Sequence, residues 1–188
     1  MAGWVGLCVA LALAALIGVT FNELVAGRNR VRAAWSGVDV ELQRRYDLIP
    51  ALSATVAGYA AHERTVLTEV ATLRTSAQAE ASIAARGTQE SALANGLGRL
   101  IALQERYPDL KADANFLALQ KQLTETEDRI SAARAAYNAA VQAYNTQLET
   151  FPDVLVAKPF GFVAREYFQA DAGAGVTPKV GEGQERAR

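Results

Sequence analysis

Between Phe116 and Phe151, apolar side chains recur every three or four residues. Phe116, Leu119, Leu123, Ile130, Tyr137, Val141, Tyr144, Leu148 and Phe151 fall on one stripe, with Thr126 and Ala133 filling the remaining steps. That period belongs to an α-helix, here sustained for about ten turns. A single amphipathic helix is marginal in water, so this one needs other helices to cover its stripe. The rest of the chain supplies them. Val31, Trp35, Val38 and Leu42 mark one stripe. Ile49, Leu52, Val56, Tyr59, Val66, Val70 and Leu73 mark another, with Glu63 as its polar intruder. Leu93, Leu97, Leu100 and Tyr107 mark a third, with Gln104 on it. No segment alternates apolar and polar residues convincingly as a strand does. The expected fold is all-α: an N-terminal transmembrane helix followed by an antiparallel four-helix bundle of long amphipathic helices.

The transmembrane expectation rests on "MAGWVGLCVALALAALIGVTFN", which carries no charge before Glu23. About 21 apolar or small residues match the length a helix needs to cross the hydrocarbon core. Nine of them are Leu, Val, Ile or Phe, and their insertion free energies sum to about −4 kcal/mol. A cleaved leader is the rival reading. "ALAAL" has small residues at cleavage spacing, whereas no Lys or Arg precedes the apolar run, which favours a retained anchor. Trp4 would then sit at the outer interface. Arg28, Arg30 and Arg32 lie just beyond the span, and the positive-inside bias places the bundle in the cytoplasm and the N-terminus outside. The same arginines are suited to anionic head groups or to a solvated helix face. Three parts result: an anchor at 1–22, a helical bundle at 23–168 and a Gly-rich, disordered tail at 169–188.

Breaks between helices are expected from turn chemistry. In "RRYDLIPAL" the stripe after Leu42 falls on Arg45, and Pro50 disfavours helical geometry at Ile49. Asp47 is suited to cap a new helix with Pro50 in its first turn, so the spacing predicts a turn at Asp47, with a kinked continuous helix as the alternative. The small, polar run from Thr75 predicts frayed ends and a loop around Arg86 to Ser91. Pro108 predicts a stop, with Asp109 or Asp113 capping the next helix. After Phe151, Pro152, Pro159 and Gly161 punctuate a strap that folds back and ends in a short helix at Val163 to Phe168. On exposed faces, Glu41 with Arg45 and Glu125 with Arg129 have i,i+4 spacing.

Little in the chain points to chemistry. Lys and Arg total 19 against 20 Asp and Glu, a net charge of −1 that gives no electrostatic reason to bind nucleic acid. Cys8 is the only cysteine and His62 the only histidine, which excludes an intramolecular disulfide, multi-cysteine metal sites and paired Glu-x-x-His motifs. His62 reads as a helix-surface or seam-edge residue, or else as a proton-sensitive switch or a lone metal ligand with carboxylates. Asp39, Arg44, Arg45 and Asp47 cluster near one bundle end, and Glu63 sits on the seam, where pairing with an arginine would fix helix register; a general acid–base pair is the alternative and would need a cavity and a substrate that the sequence does not show. Tyr137–Asn138 and Tyr144–Asn145 repeat seven residues apart, as core tyrosines or as a polar layer against a partner helix. No phosphate-binding loop or nucleophile elbow is present. The expectation is therefore no catalytic, cofactor-binding or metal residues.

Taken together, "AWSGVDVELQRRYDLIPALSATVAGYAAHE", "NFLALQKQLTETEDRI", "YNAAVQAYN" and "FPDVLVA" followed by "GF" resemble, in order, the blocks of the LemA family of bacterial membrane proteins. The similarity covers roughly Phe21 to Phe168. It implies an N-terminal anchor with a domain described as four-helical, and no catalytic residues, since the family has no established activity. Some relatives occur among magnetosome-membrane proteins. The resulting expectation is a non-enzymatic scaffold in the bacterial inner membrane. Residues 1–22 contact the bilayer, the chain self-associates, and other membrane proteins are possible partners. A secreted or periplasmic bundle with a cleaved leader, or a ligand- or metal-binding bundle, is the alternative.

Overall fold

The computed structural model describes residues 2–169, and among them there is no β-strand. The helices are α1 (Ala2–Tyr59), α2 (Arg64–Ala79), α3 (Ile83–Ala102), α4 (Pro108–Ala112), α5 (Ala114–Glu149) and α6 (Asp153–Ala157), with a 3₁₀ turn at Leu103–Glu105. The tail expected to be disordered lies, from residue 170 on, outside the described residues.

α1 is one helix of 58 residues, about 87 Å long at 1.5 Å per residue. The apolar leader and the first bundle helix are therefore the same rod. Residues 2–19 are exposed along it, and burial begins at Thr20 and continues through Leu24, Gly27, Val31, Val38 and Leu42. The turn expected at Asp47 does not form; the chain runs straight through Pro50 to Tyr59. Proline in a helix interior deprives the carbonyl four residues back of its N–H partner. That carbonyl belongs to Tyr46, and Arg74 of α2 donates its Nε–H to it at 2.8 Å. Asp47 instead accepts from Gln43 at 2.7 Å on the exposed face.

α5 lies antiparallel along α1. Gly27 meets Tyr144 and Gln147, Trp35 meets Tyr137 with ring centroids 5.1 Å apart, Arg45 meets Glu127, and Tyr59 meets Asp113. The two helices approach closely at Gly27, where a Cβ would sit 3.1 Å from the Tyr144 ring. α2 and α3 form an antiparallel pair of their own, with Leu73 against Gly96 and Glu69 bonded to Arg99. Apolar stripes meet in the centre. Ile49, Leu52, Val56, Val70, Leu93, Leu97, Leu100, Phe116, Leu123, Ile130, Tyr137, Val141 and Tyr144 are all buried. Asp113 caps α5 by accepting from the Phe116 N–H at 2.7 Å, and Pro108 occupies the first turn of α4.

Two further expectations are corrected. Arg86 to Ser91 is not a loop but lies within the first turns of α3; the link to α2 is shorter, at 80–82, where Ser82 caps α3. Val163 to Phe168 is not a helix. Asn145 holds the Arg165 backbone through both N–H (2.8 Å) and C=O (2.9 Å), and Asn138 holds Phe168 likewise at 2.9 and 3.1 Å. Seven helical residues rise about 10.5 Å, and three extended residues about 10 Å. The heptad spacing of the asparagines thus matches an extended strap and would not match a helical one. Where the strap crosses α3, the Gln169 carbonyl occupies the place a Cβ on Gly87 would need, so this small residue on α3 makes room for the strap.

Candidate functional site

The densest polar constellation among the described residues lies midway along the α1–α5 seam. Arg45 is 2% exposed, an unusual position for an arginine that has to be paired. Its Nη1 donates to Glu127 of α5 at 2.8 and 3.1 Å, and its Nη2 to Glu90 of α3. The second oxygen of Glu90 accepts from the Tyr46 hydroxyl. Burial pushes the Tyr46 phenol above its ordinary value, with Arg45 and Arg86 opposing. A cavity of about 230 Å³ opens beside the cluster, lined by Arg45, Glu90, Asn95, Glu127, Ile130 and Phe168 among others. Both Glu90 oxygens and both Arg45 η nitrogens are engaged. The cluster therefore ties α1, α3 and α5 into one register.

The residues singled out in the sequence separate into several places. Glu63 does pair with an arginine, Arg106 at 3.0 Å, and accepts from Tyr107 at 3.3 Å, but near the surface. The buried arginine of that cluster is Arg45. It leaves the i,i+4 pairing with Glu41, which bonds Arg44 at 3.1 Å instead. Asp39 pairs with Arg86 at 2.8 Å. His62 is exposed in the turn between α1 and α2. Tyr137 and Tyr144 are buried; the Tyr137 hydroxyl donates to the Glu166 carbonyl at 2.8 Å, and burial raises its phenol. The asparagines beside them serve this chain's own strap. Trp35 lies between Tyr137 and Phe168, with Arg86 stacked over it.

Glu90 was not among the residues the sequence brought forward, because its segment reads as loop. The signal for it is the Leu93–Leu97–Leu100 stripe continued backwards. Steps of three and four reach Glu90, Gly87 and Ile83, and so place a carboxylate on a buried face.

The first part of α1 is long and apolar enough to cross a membrane, by length and composition, and its side chains are almost all exposed. It is a candidate anchor joined without interruption to the bundle.

The chain is 40% identical over 86 residues to magnetosome protein MamQ 2 of Paramagnetospirillum magneticum, covering 46% of this chain and 31% of that protein. It is 35% identical over 86 residues to magnetosome protein MamQ of Magnetospirillum gryphiswaldense, with the same coverage. The match thus spans about a third of the length of these relatives. Protein LemA of Metamycoplasma hominis is 25% identical over 150 residues, 79% of this chain and 68% of that protein. The sequence pattern described as LemA family matches residues 34–181. Since that match covers most of the chain, the protein belongs to the LemA family.

Proposed function

We propose that this protein is a single-span, non-enzymatic scaffold of the bacterial inner membrane, with its N-terminus outside and its helical bundle in the cytoplasm. The observation that carries the reading is the unbroken α1, in which residues exposed like a span and residues buried like a core belong to one rod. A bundle built on its own anchor has a fixed height and direction relative to the bilayer, which suits a protein that presents helix faces to neighbours. Arg28, Arg30 and Arg32 just beyond the apolar segment support the cytoplasmic side. The buried polar cluster engages Arg45 with Glu90 and Glu127, which supports a structural part for those charges. The names of the MamQ relatives tie a similar stretch to the magnetosome, in keeping with a membrane-organising role.

Self-association through helix faces belongs to the same reading. Sedimentation of the full chain in mild detergent across a wide concentration range tests it. The reading expects a mass that is a multiple of 20.1 kDa, and one monomeric mass throughout contradicts self-association. Protease treatment of right-side-out and inverted vesicles tests orientation. Digestion of the bundle only in inverted vesicles is expected, and digestion only in right-side-out vesicles contradicts it.

A further inference from the structure

Outside the candidate span, Val40, Tyr59, Leu117 and Tyr167 are exposed at separate places, whereas four other large apolar side chains are exposed together. Phe151, Leu155, Phe160 and Val163 are 75, 65, 57 and 63% exposed, and all fall at α6 or the turn on either side of it. The antiparallel register fixes their height. Tyr144 and Gln147 stand level with Gly27, so the end of α5 and α6 reach the level of Phe21 and Thr20, where the apolar segment of α1 begins. α6 packs on α1 there, with Val156 and Ala157 inward.

The turn after α6 sorts its aromatic rings. Gly161 has φ +71°, and the Phe162 and Gly161 N–H groups bond the Ala157 and Lys158 carbonyls at 3.0 and 3.3 Å. This is the paired closure of a helix end by a left-handed residue, a conformation that favours glycine. It tucks Phe162 against Phe21, under the Arg28 guanidinium, and leaves Phe160 outward while its edge still touches Phe21 at a centroid distance of 5.3 Å. Phe160 thereby sets an exposed apolar ring beside Phe21, at the end of the span.

We propose that α6 and the 158–163 turn form an interfacial collar, in which Phe151, Leu155, Phe160 and Val163 insert into the headgroup–acyl boundary of the bilayer that α1 enters. The inference rests on residues 2–22 being a membrane span. The occupant is lipid because these side chains flank the point where the span emerges, at the depth where aromatic rings are favoured. Charges nearby nearly balance, with Arg28, Arg30, Arg32 and Lys158 against Glu23, Glu149 and Asp153. Insertion is therefore apolar in origin and insensitive to salt.

The test uses the full chain with Cys8→Ser, reconstituted in vesicles of phosphatidylcholine and phosphatidylglycerol. A polarity-sensitive fluorophore is attached at Phe160→Cys, Leu155→Cys, Leu11→Cys or Leu117→Cys, and lipids carry quenchers at shallow or deep acyl positions. The collar predicts strong quenching by the shallow quencher at 155 and 160, unchanged in 1 M salt. It predicts quenching by the deep one at 11, and little at 117, which lies at the far end of α5. Quenching at 11 without quenching at 155 and 160 overturns the collar and leaves the span standing. No quenching at 11 overturns both. Labels at 155 and 160 shielded from lipid quenchers and from aqueous iodide alike, in a concentration-dependent way, show a second copy there and also overturn the collar.

Discussion

The Arg74 guanidinium takes up the carbonyl of Tyr46 that Pro50 leaves without a partner, at 2.8 Å. One side chain from α2 thus lets α1 continue where its own sequence would stop it. Arg74→Met should cost about 1–3 kcal/mol, because the carbonyl then loses the side-chain donor that replaces the missing N–H. Adding Pro50→Ala should recover most of that loss, since alanine supplies the missing N–H. Urea melts of the two single variants and the double variant check this; simple additivity would contradict the proposed relationship.

The pairing of Arg45 with Glu90 and Glu127 makes an opposite kind of prediction. Arg45→Met leaves Glu90 buried beside Tyr46 without its cation and should destabilise the bundle by about 3–5 kcal/mol. Replacing both partners, Arg45→Met with Glu90→Leu, should be milder than the single change. Thermal melts that rank the double variant as the less stable would show that the pair contributes net stability instead of register.

Asn145→Ala removes both hydrogen bonds to the Arg165 backbone, each contributing about 0.5–1.5 kcal/mol. The bundle should stay folded while the strap opens more often. Tryptic cleavage after Arg165 should then accelerate roughly 5- to 150-fold, the population change that one to three kcal/mol produces. Unchanged cleavage with a lowered melting temperature would mean that Asn145 supports α5 and not the strap.

Asp113 gives a pH dependence. Its carboxylate accepts from the Phe116 N–H and from the Tyr59 hydroxyl, which holds it below the ordinary carboxylate value of 3.8. A depressed value in the folded state adds stability above pH 3.8, lost as pH falls through the depressed value. The Tyr59 phenol is raised, chiefly by its bond to Asp113, so that stabilisation is lost as pH rises above 10. Asp113→Asn should flatten the acid side of the stability profile in urea melts between pH 6 and 2. An unchanged acid slope would contradict the capping role.

The apolar stripes were legible because helical period and burial are the same fact seen in one and in three dimensions. Nearly every residue of the stripes from Ile49 to Leu148 lies inside or against the core. What the sequence misplaced depends on partners far along the chain. Pro50 reads as a break until Arg74 is brought to it. The small residues around Gly87 read as loop until the strap is seen to cross them. Residues 163–168 have enough helix formers to suggest a helix, yet Asn138 and Asn145 fix them extended. Arg45 and Glu90 are 45 residues apart, and no local period reports such a pair.

The continuity of α1 from candidate span to bundle core supports both the proposed function and the collar. Gly37 and Gly58 are exposed helical positions with open space around them. Spin labels on Gly37→Cys and Gly58→Cys, with Cys8→Ser, in the full chain within a lipid nanodisc report the distance across Pro50. An unbroken helix places the two backbone positions about 32 Å apart. A distance near 10 Å, the spacing of two neighbouring antiparallel helices, would mean that the chain turns at Asp47 and would contradict the rigid rod.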